Sequence, residues 1–358
     1  MGLFRYTIRR LLQAIPVLLG IATITFFLSN AVPGDPIDVM LGPSPAQEQK
    51  AAIRAKYGLD RPLWLRYINY LADVSPIWLS TVEGFPYVAP EFGVDLGRSI
   101  HFGAPVTDKI KERLPVTMLL MGSAFTFALV TAVPLGVISA HRRNKPTDHA
   151  SRVVALVGVS TPSFWIGLQL IIVFAFELGW LPSNSLVMPW DLPPAAAEAG
   201  LLSVEFWRIA ANHQVLVLQH LILPTISLGT LQMAAITRIE RSAMLEQLSQ
   251  DYVQLARAYG VSDRKILRKH AFRPAQLPVI TIVGLNLTTA IGGAVLTETV
   301  FSINGMGTLI LTGVLNIDYP LIMGTTLVFG LVFVLGVILT DISYAYVDPR
   351  VSYGDQEA

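Results

Sequence analysis

Six apolar runs, near residues 11–32, 114–140, 153–177, 218–239, 277–298 and 319–342, dominate this sequence. Each is close to the ~20 residues an α-helix needs to cross a hydrocarbon core about 30 Å thick. A peptide group in lipid finds no water to bond, so the runs are predicted to be helices that close their own hydrogen bonds. Composition agrees: 53% of the residues are hydrophobic and 14% charged, against about 25% charged in an ordinary soluble domain. The expected fold class is an all-α polytopic membrane protein with six transmembrane helices. A formal net charge of +1 gives no footing for nucleic-acid binding. The absence of cysteine excludes disulfides, thiolate metal sites and a cysteine nucleophile. Arg5, Arg9 and Arg10 precede the first run as in a signal peptide, yet no small-residue cleavage site follows, which predicts a retained first span.

Basic residues orient the spans. Arg142, Arg143, Lys145 and Arg152 follow the second run, and eight Lys or Arg side chains lie between Arg238 and Arg273, after the fourth. The positive-inside rule places these connections, and both termini, in the cytoplasm. The chain then divides into an N-terminal end with the first span (1–32), an external domain (33–113), a five-helix core (114–345) and a cytoplasmic tail (346–358). In the external domain, Ala46–Tyr57 and Pro62–Val74 read as helices, with Leu63, Tyr67, Tyr70 and Leu71 on one face and Gly58 ending the first. Residues 182–200, carrying Pro182, Pro189, Pro193 and Pro194, read as an irregular outer loop.

The basic segment after the fourth run carries the most specific pattern. Tyr252, Leu255, Ala256 and Tyr259 recur at i, i+3, i+4 and i+7, one apolar face of a short helix. Gly260 suits the left-handed end of such a helix, and Ser262 with Asp263 suits the start of another. On that second helix Arg264, Lys265, Arg268 and Lys269 stack like charges at i, i+4, which fits an acidic docking partner. An amphipathic segment lying on anionic lipid fits the same residues.

The run Asp251-Tyr252-Val253-Gln254-Leu255-Ala256-Arg257-Ala258-Tyr259-Gly260-Val261-Ser262 resembles the EAA loop of ABC importer permeases, in the version of the dipeptide and oligopeptide family. The resemblance extends over most of the chain. It includes Arg9-Arg10-Leu11, Val32-Pro33-Gly34-Asp35-Pro36, Asp95-Leu96-Gly97-Arg98-Ser99 and Arg113-Leu114-Pro115-Val116-Thr117. It continues through Pro162-Ser163-Phe164-Trp165, Glu298-Thr299-Val300-Phe301, Gly305-Met306-Gly307 and Asp348-Pro349-Arg350. Gln254 and Leu255 stand where the family loop has an acidic residue and an alanine, and Asn304 where it usually has proline. The resemblance implies type I ABC importer architecture, with residues 240–276 as a cytoplasmic coupling loop. Tyr252, Leu255, Ala256, Tyr259, Gly260 and Ser262 would then form the contact with an ATPase. It implies as partners a second homologous permease subunit, two cytoplasmic ATPase subunits, an external substrate-binding protein and membrane lipid. It also implies a plasma (inner) membrane location and di- or oligopeptide cargo. Oligosaccharides and nickel chelates are carried by close relatives.

The chain lacks G-x-x-x-x-G-K-[ST], so ATP and Mg are expected on the partner ATPases, with no cofactor and no catalytic residue here. Gln232, Asn286, Thr288, Thr289, Gly292 and Gly293 are candidates for a translocation path or for close helix packing. His213 and His220 have no third ligand at a supporting spacing and no H-E-x-x-H, so no metal site is expected. Glu177, Glu298 and Asp341 fall at span ends and read as interfacial. The rival class, an ion-coupled secondary transporter, would need midplane carboxylates and repeat-related broken helices.

Overall fold

A computed structural model describes residues 3–31, 34, 37, 41, 47–75, 77–81, 88–92, 94–200 and 202–347, with the side chains at 3–6, 56, 77–92, 288–293 and 344–347 outside the description. The elements, in chain order, are α1 (Leu3–Ala31), α2 (Gln47–Lys56), α3 (Leu63–Val74), β1 (Ile77–Thr81) and β2 (Val88–Phe92). They continue with α4 (Val106–His141), α5 (Pro146–Ser160), α6 (Ser163–Leu170, prolonged by a π-helical stretch Ile171–Glu177) and α7 (Pro194–Ala199). Then come α8 (Val204–Leu248), α9 (Asp251–Ala258), α10 (Asp263–Lys265, prolonged by a π-helical stretch Ile266–Ala271), α11 (Phe272–Val300), α12 (Met306–Leu315) and α13 (Tyr319–Val347). Among the described residues, the all-α expectation has one addition, the antiparallel β1–β2 hairpin with Ile77 opposite Phe92.

Among the described residues, four helices are long and apolar enough to cross a membrane: Thr7–Ala31 within α1, α4, α8, and Tyr319–Ser343 within α13. The predicted run 277–298 lies within α11. The run 153–177 is not one straight helix, because α5 and the α6 segment through Glu177 bend by 104°. Pro162 disfavours helical backbone at the residue before it, and Thr161 is extended at φ −101°, ψ 127°. Each leg has 15 residues, about 22 Å of rise, so neither alone spans the core. α8 overruns its predicted run at both ends, with 45 residues and Pro224 inside.

Two compact units form. One comprises residues 1–11, 116–307 and 333–358. Its core is layered along α8. Leu120, Met121 and Ala124 of α4 meet Leu223 and Leu228 of α8, Ala294 of α11, and Ile171, Phe301 and Ile303. Further along, Ala128 and Ala132 join Ile236 and Val279, and beyond them Ala140, Ala243, Met244, Ala271 and Ala275. The alanines let backbones approach, which is how helices gain contact where lipid competes for apolar surface. Gly229 marks one close approach: a Cβ there would lie 2.7 Å from the Phe127 ring and 2.8 Å from the Ala124 carbonyl oxygen.

The other unit comprises residues 12–115 and 308–332. Phe26 of α1 packs on Tyr67 and Tyr70 of α3, with ring centroids 5.3 and 5.7 Å apart. Thr23 Oγ1 and the Tyr67 hydroxyl are 2.8 Å apart. Asp318 is buried just before α13. It accepts hydrogen bonds from the Ser99 hydroxyl (2.5 Å), the His101 amide (2.9 Å) and the Leu321 amide (3.2 Å), so one carboxylate caps the helix and holds the 99–101 segment.

Gly229→Val is expected to destabilise the fold by about 1–3 kcal/mol through overpacking, read as a lower thermal-unfolding midpoint in detergent. Gly122→Ala, whose Cβ would meet nothing within 4 Å, is the matched control and should leave the midpoint unchanged.

Candidate functional site

The segment after α8 folds as a helix, a sharp turn and a second helix. Asp251 sits in the first turn of α9, where a carboxylate favours the helix dipole. At its end, the Gly260 amide donates to the Arg257 carbonyl (2.9 Å) and the Val261 amide to the Ala256 carbonyl (3.0 Å). This paired closure needs a left-handed residue, and Gly260 supplies it at φ +74°. Ser262 takes the extended N-cap conformation before α10, but its side chain makes no cap hydrogen bond. The cap is made by backbone alone, the Lys265 amide reaching the Ser262 carbonyl at 2.9 Å. Arg257 Nε and Asp263 Oδ1 lie 3.5 Å apart across the turn, both exposed, so this pair adds little stability.

The residues picked from periodicity point mainly outward. Tyr252, Leu255 and Tyr259 are 41%, 58% and 80% exposed, with Ala256 half-buried beside them. What fastens α9 inward is Val253, fully buried, which the i, i+3, i+4, i+7 pattern passes over. The Tyr252 hydroxyl lies 2.9 Å from Gln247 Oε1 and 3.3 Å from the His270 carbonyl, fixing the ring against the start of the return path. Partial burial pushes its phenol pKa upward, so it remains a donor. The basic helix is shorter than expected. α10 is three residues long, and Arg268, Lys269 and His270 ride on the π-helical stretch. That wider turn breaks the i, i+4 stacking of like charges from Arg264 and Lys265 onto Arg268 and Lys269.

Beneath the hairpin, two buried carboxylates fix its base. Asp148 accepts bonds from the Ser139 hydroxyl (2.6 Å), the Asn144 amide (2.9 Å), and Arg241 Nε (2.7 Å) and Nη2 (2.9 Å). The paired fork is the strong form of an Arg–carboxylate contact. It ties α5 to α8 about two helical turns before α8 ends at Leu248. Glu240, also buried, receives Gln276 Nε2 at 3.1 Å on each oxygen, linking α8 to α11. Sequence reading missed both clusters because the partners stand 93 and 36 residues apart.

Elsewhere, Gln232 is buried in α8 and Asn286 half-buried in α11. The side-chain surroundings of Thr288, Thr289, Gly292 and Gly293 lie outside the described residues. Glu177 is exposed, as a span end suggests, and Asp341 pairs with Arg10 Nε at 3.0 Å. Glu298 departs from the interfacial expectation. It is fully buried and accepts the Thr117 hydroxyl at 2.6 Å, while that same oxygen of Thr117 receives the Met306 amide at 2.7 Å. His213 Nε2 bonds the Met188 carbonyl at 2.9 Å, and His220 Nδ1 is 2.9 Å from the Leu216 carbonyl.

Arg241→Ala removes the bidentate partner of buried Asp148, leaving Arg152 Nε at 3.7 Å as its remaining cation, and is expected to cost about 3 kcal/mol of stability, the low end for breaking a buried pair. Combining Asp148→Asn with Arg241→Met should cost less than the sum of the single changes. Thermal unfolding of all variants in detergent checks both statements.

Most of the chain aligns with known transport proteins. Residues 132–353 match the family described as binding-protein-dependent transport system inner membrane component, and residues 3–121 match the N-terminal model of the same membrane component. The oligopeptide transport system permease protein AppB of Bacillus subtilis (strain 168) is 38% identical over 97% of this chain and 99% of its own length. The dipeptide transport system permease protein DppB of Alkalihalophilus pseudofirmus is 37% identical over 97% and 99%. The probable D,D-dipeptide transport system permease protein DdpB of Escherichia coli (strain K12) is 36% identical over 95% of each. The chain therefore belongs to the family of binding-protein-dependent transport system inner membrane components, and is a multi-pass ABC importer permease, a transport subunit and not an enzyme.

Proposed function

We propose that this permease forms half of a translocation pathway for di- or oligopeptides, and that the hairpin from Asp251 to Ala271 receives the motion of a cytoplasmic ATPase. One observation carries the coupling role. The hairpin holds Tyr252, Leu255 and Tyr259 outward on a rigid base, because Val253 is buried and Gly260 closes the turn. An exposed apolar face kept in place by a buried anchor is what a helix offered to a groove requires. The cargo follows from the relatives, whose names specify oligopeptides and dipeptides.

In the working complex the chain pairs with a second, homologous permease, two ATPase subunits that hold ATP and Mg, and an external binding protein. The basic connections 142–152 and 240–276 and both termini face the cytoplasm of the inner membrane, and residues 33–113 form the external domain. Gln232, Asn286, Thr288, Thr289, Gly292 and Gly293 line the path or let the helices around it approach. ATPase closure pulls on α9, and α8 and α11, which flank the hairpin in sequence, carry the movement into the membrane.

Leu255→Glu with Tyr259→Glu is expected to reduce ATPase co-purification and ATP-driven peptide uptake in vesicles at least about tenfold, while leaving the thermal midpoint near wild type because both side chains are exposed. Unchanged co-purification and uptake would sink the coupling role. Gly260→Val forces a left-handed β-branched residue, costing about 1–2 kcal/mol locally, and should lower uptake more than it lowers stability. Uptake of a labelled dipeptide or tetrapeptide should be blocked by vanadate. Vanadate-insensitive, proton-dependent uptake would overturn the ATP-driven reading.

A further inference from the structure

A groove lies where α5 and α8 leave the apolar runs. It has a volume of about 290 Å³ and is walled by Ser139, Arg152, Leu156, Val159, Arg238 and Arg241, among others. Its two chemistries are segregated. Leu156 and Val159, 69% and 40% exposed, continue the apolar surface of α5. Arg152 and Arg238 stand at the edges of their runs, one residue before the run beginning at 153 and one before the end of the run at 239.

The charges do not cancel. Arg241 is neutralised by Asp148 through two hydrogen bonds. Arg152 reaches over that pair, with Nε 3.7 Å from Asp148 Oδ1 and Nη2 2.7 Å from His149 Nδ1. Glu240 turns away to Gln276. Arg238 has no hydrogen-bond or ion-pair partner among the described residues and is exposed. Asp148 meets two guanidinium groups and Arg238 meets none of the described carboxylates, so the three arginines exceed the one carboxylate by two positive charges beside an apolar wall. Basic pockets between membrane helices, at the depth where helices meet the headgroups, suit anionic lipids, and guanidinium groups are matched to phosphate oxygens.

We infer that this groove binds one anionic phospholipid, its phosphate between Arg152 and Arg238 and an acyl chain along Leu156 and Val159. The inference takes its leaflet, the cytoplasmic one, from the orientation proposed above. A lipid held there touches α5 and α8 beside the Asp148–Arg241 pair, and so bears on the base of the coupling hairpin.

The test uses the purified full chain in detergent, with phosphatidylglycerol, phosphatidylcholine and inorganic phosphate as probes and native mass spectrometry as the readout. Wild-type protein should retain phosphatidylglycerol in preference to phosphatidylcholine. Arg152→Gln with Arg238→Gln should lower that retention by about tenfold, the loss expected for charge-assisted hydrogen bonds. Leu156→Ser should weaken it by about threefold without touching a charge. Equal retention by wild type and the double-arginine variant would overturn the site. Displacement of the lipid by millimolar inorganic phosphate would make it a free-anion pocket, and displacement by the partner ATPase would make it a protein contact; either overturns the lipid assignment. The orientation is read separately. The native chain has no cysteine, so Arg143→Cys can be labelled with an impermeant maleimide in vesicles of known sidedness. Labelling from outside overturns the orientation alone, since lipid retention in detergent does not depend on sidedness.

Discussion

A bilayer interior offers peptide groups nothing to bond, and the single 45-residue helix Val204–Leu248 is the fullest answer to that constraint in this chain. Its backbone closes its own hydrogen bonds over most of its length, so α4, α5, α6 and α11 can use it as a packing surface. Several of the contacts along it are made by alanine and glycine, because lipid is as apolar as any core and only close approach distinguishes protein contact from lipid contact. Gly229 against Ala124 is one such close approach. The same helix delivers Glu240 and Arg241 to its far end, just before the hairpin begins.

Among the described residues, three buried carboxylates have partners far away in the chain. Asp148 holds Arg241 and Ser139, Glu298 holds Thr117, and Asp318 holds Ser99 and the His101 amide. Such groups are costly to bury alone and directional once paired. They therefore act as registration points, fixing which turn of one element faces which turn of another, a choice that apolar packing leaves loose. The pair at Asp148 and Arg241 has a second consequence. With one carboxylate shared between Arg241 and Arg152 and none on Arg238, two positive charges remain in excess at the edge of an apolar wall.

The hairpin after α8 divides cleanly between what periodicity reveals and what it hides. Its helix, its turn at Gly260 and its restart at Ser262 follow from local preferences, and the backbone adopts them. Periodicity also picked out Tyr252, Leu255 and Tyr259, but it could not say whether that face turns inward or outward. The buried Val253 settled it. The basic stretch was misjudged because a π-helical segment replaced the expected α-helix from Ile266, and no local signal marks such an insertion.

By itself, the sequence determined the class of solvent, the positions of the apolar helices and the places where the chain must turn. These depend on composition, periodicity and proline or glycine stereochemistry, all of which are local. Tertiary structure alone decided that Glu298 is buried and not interfacial, and which carboxylate meets which arginine. Those outcomes rest on contacts between residues tens to hundreds of positions apart, where the energy of a polar pair depends on geometry and burial that no stretch of sequence carries alone.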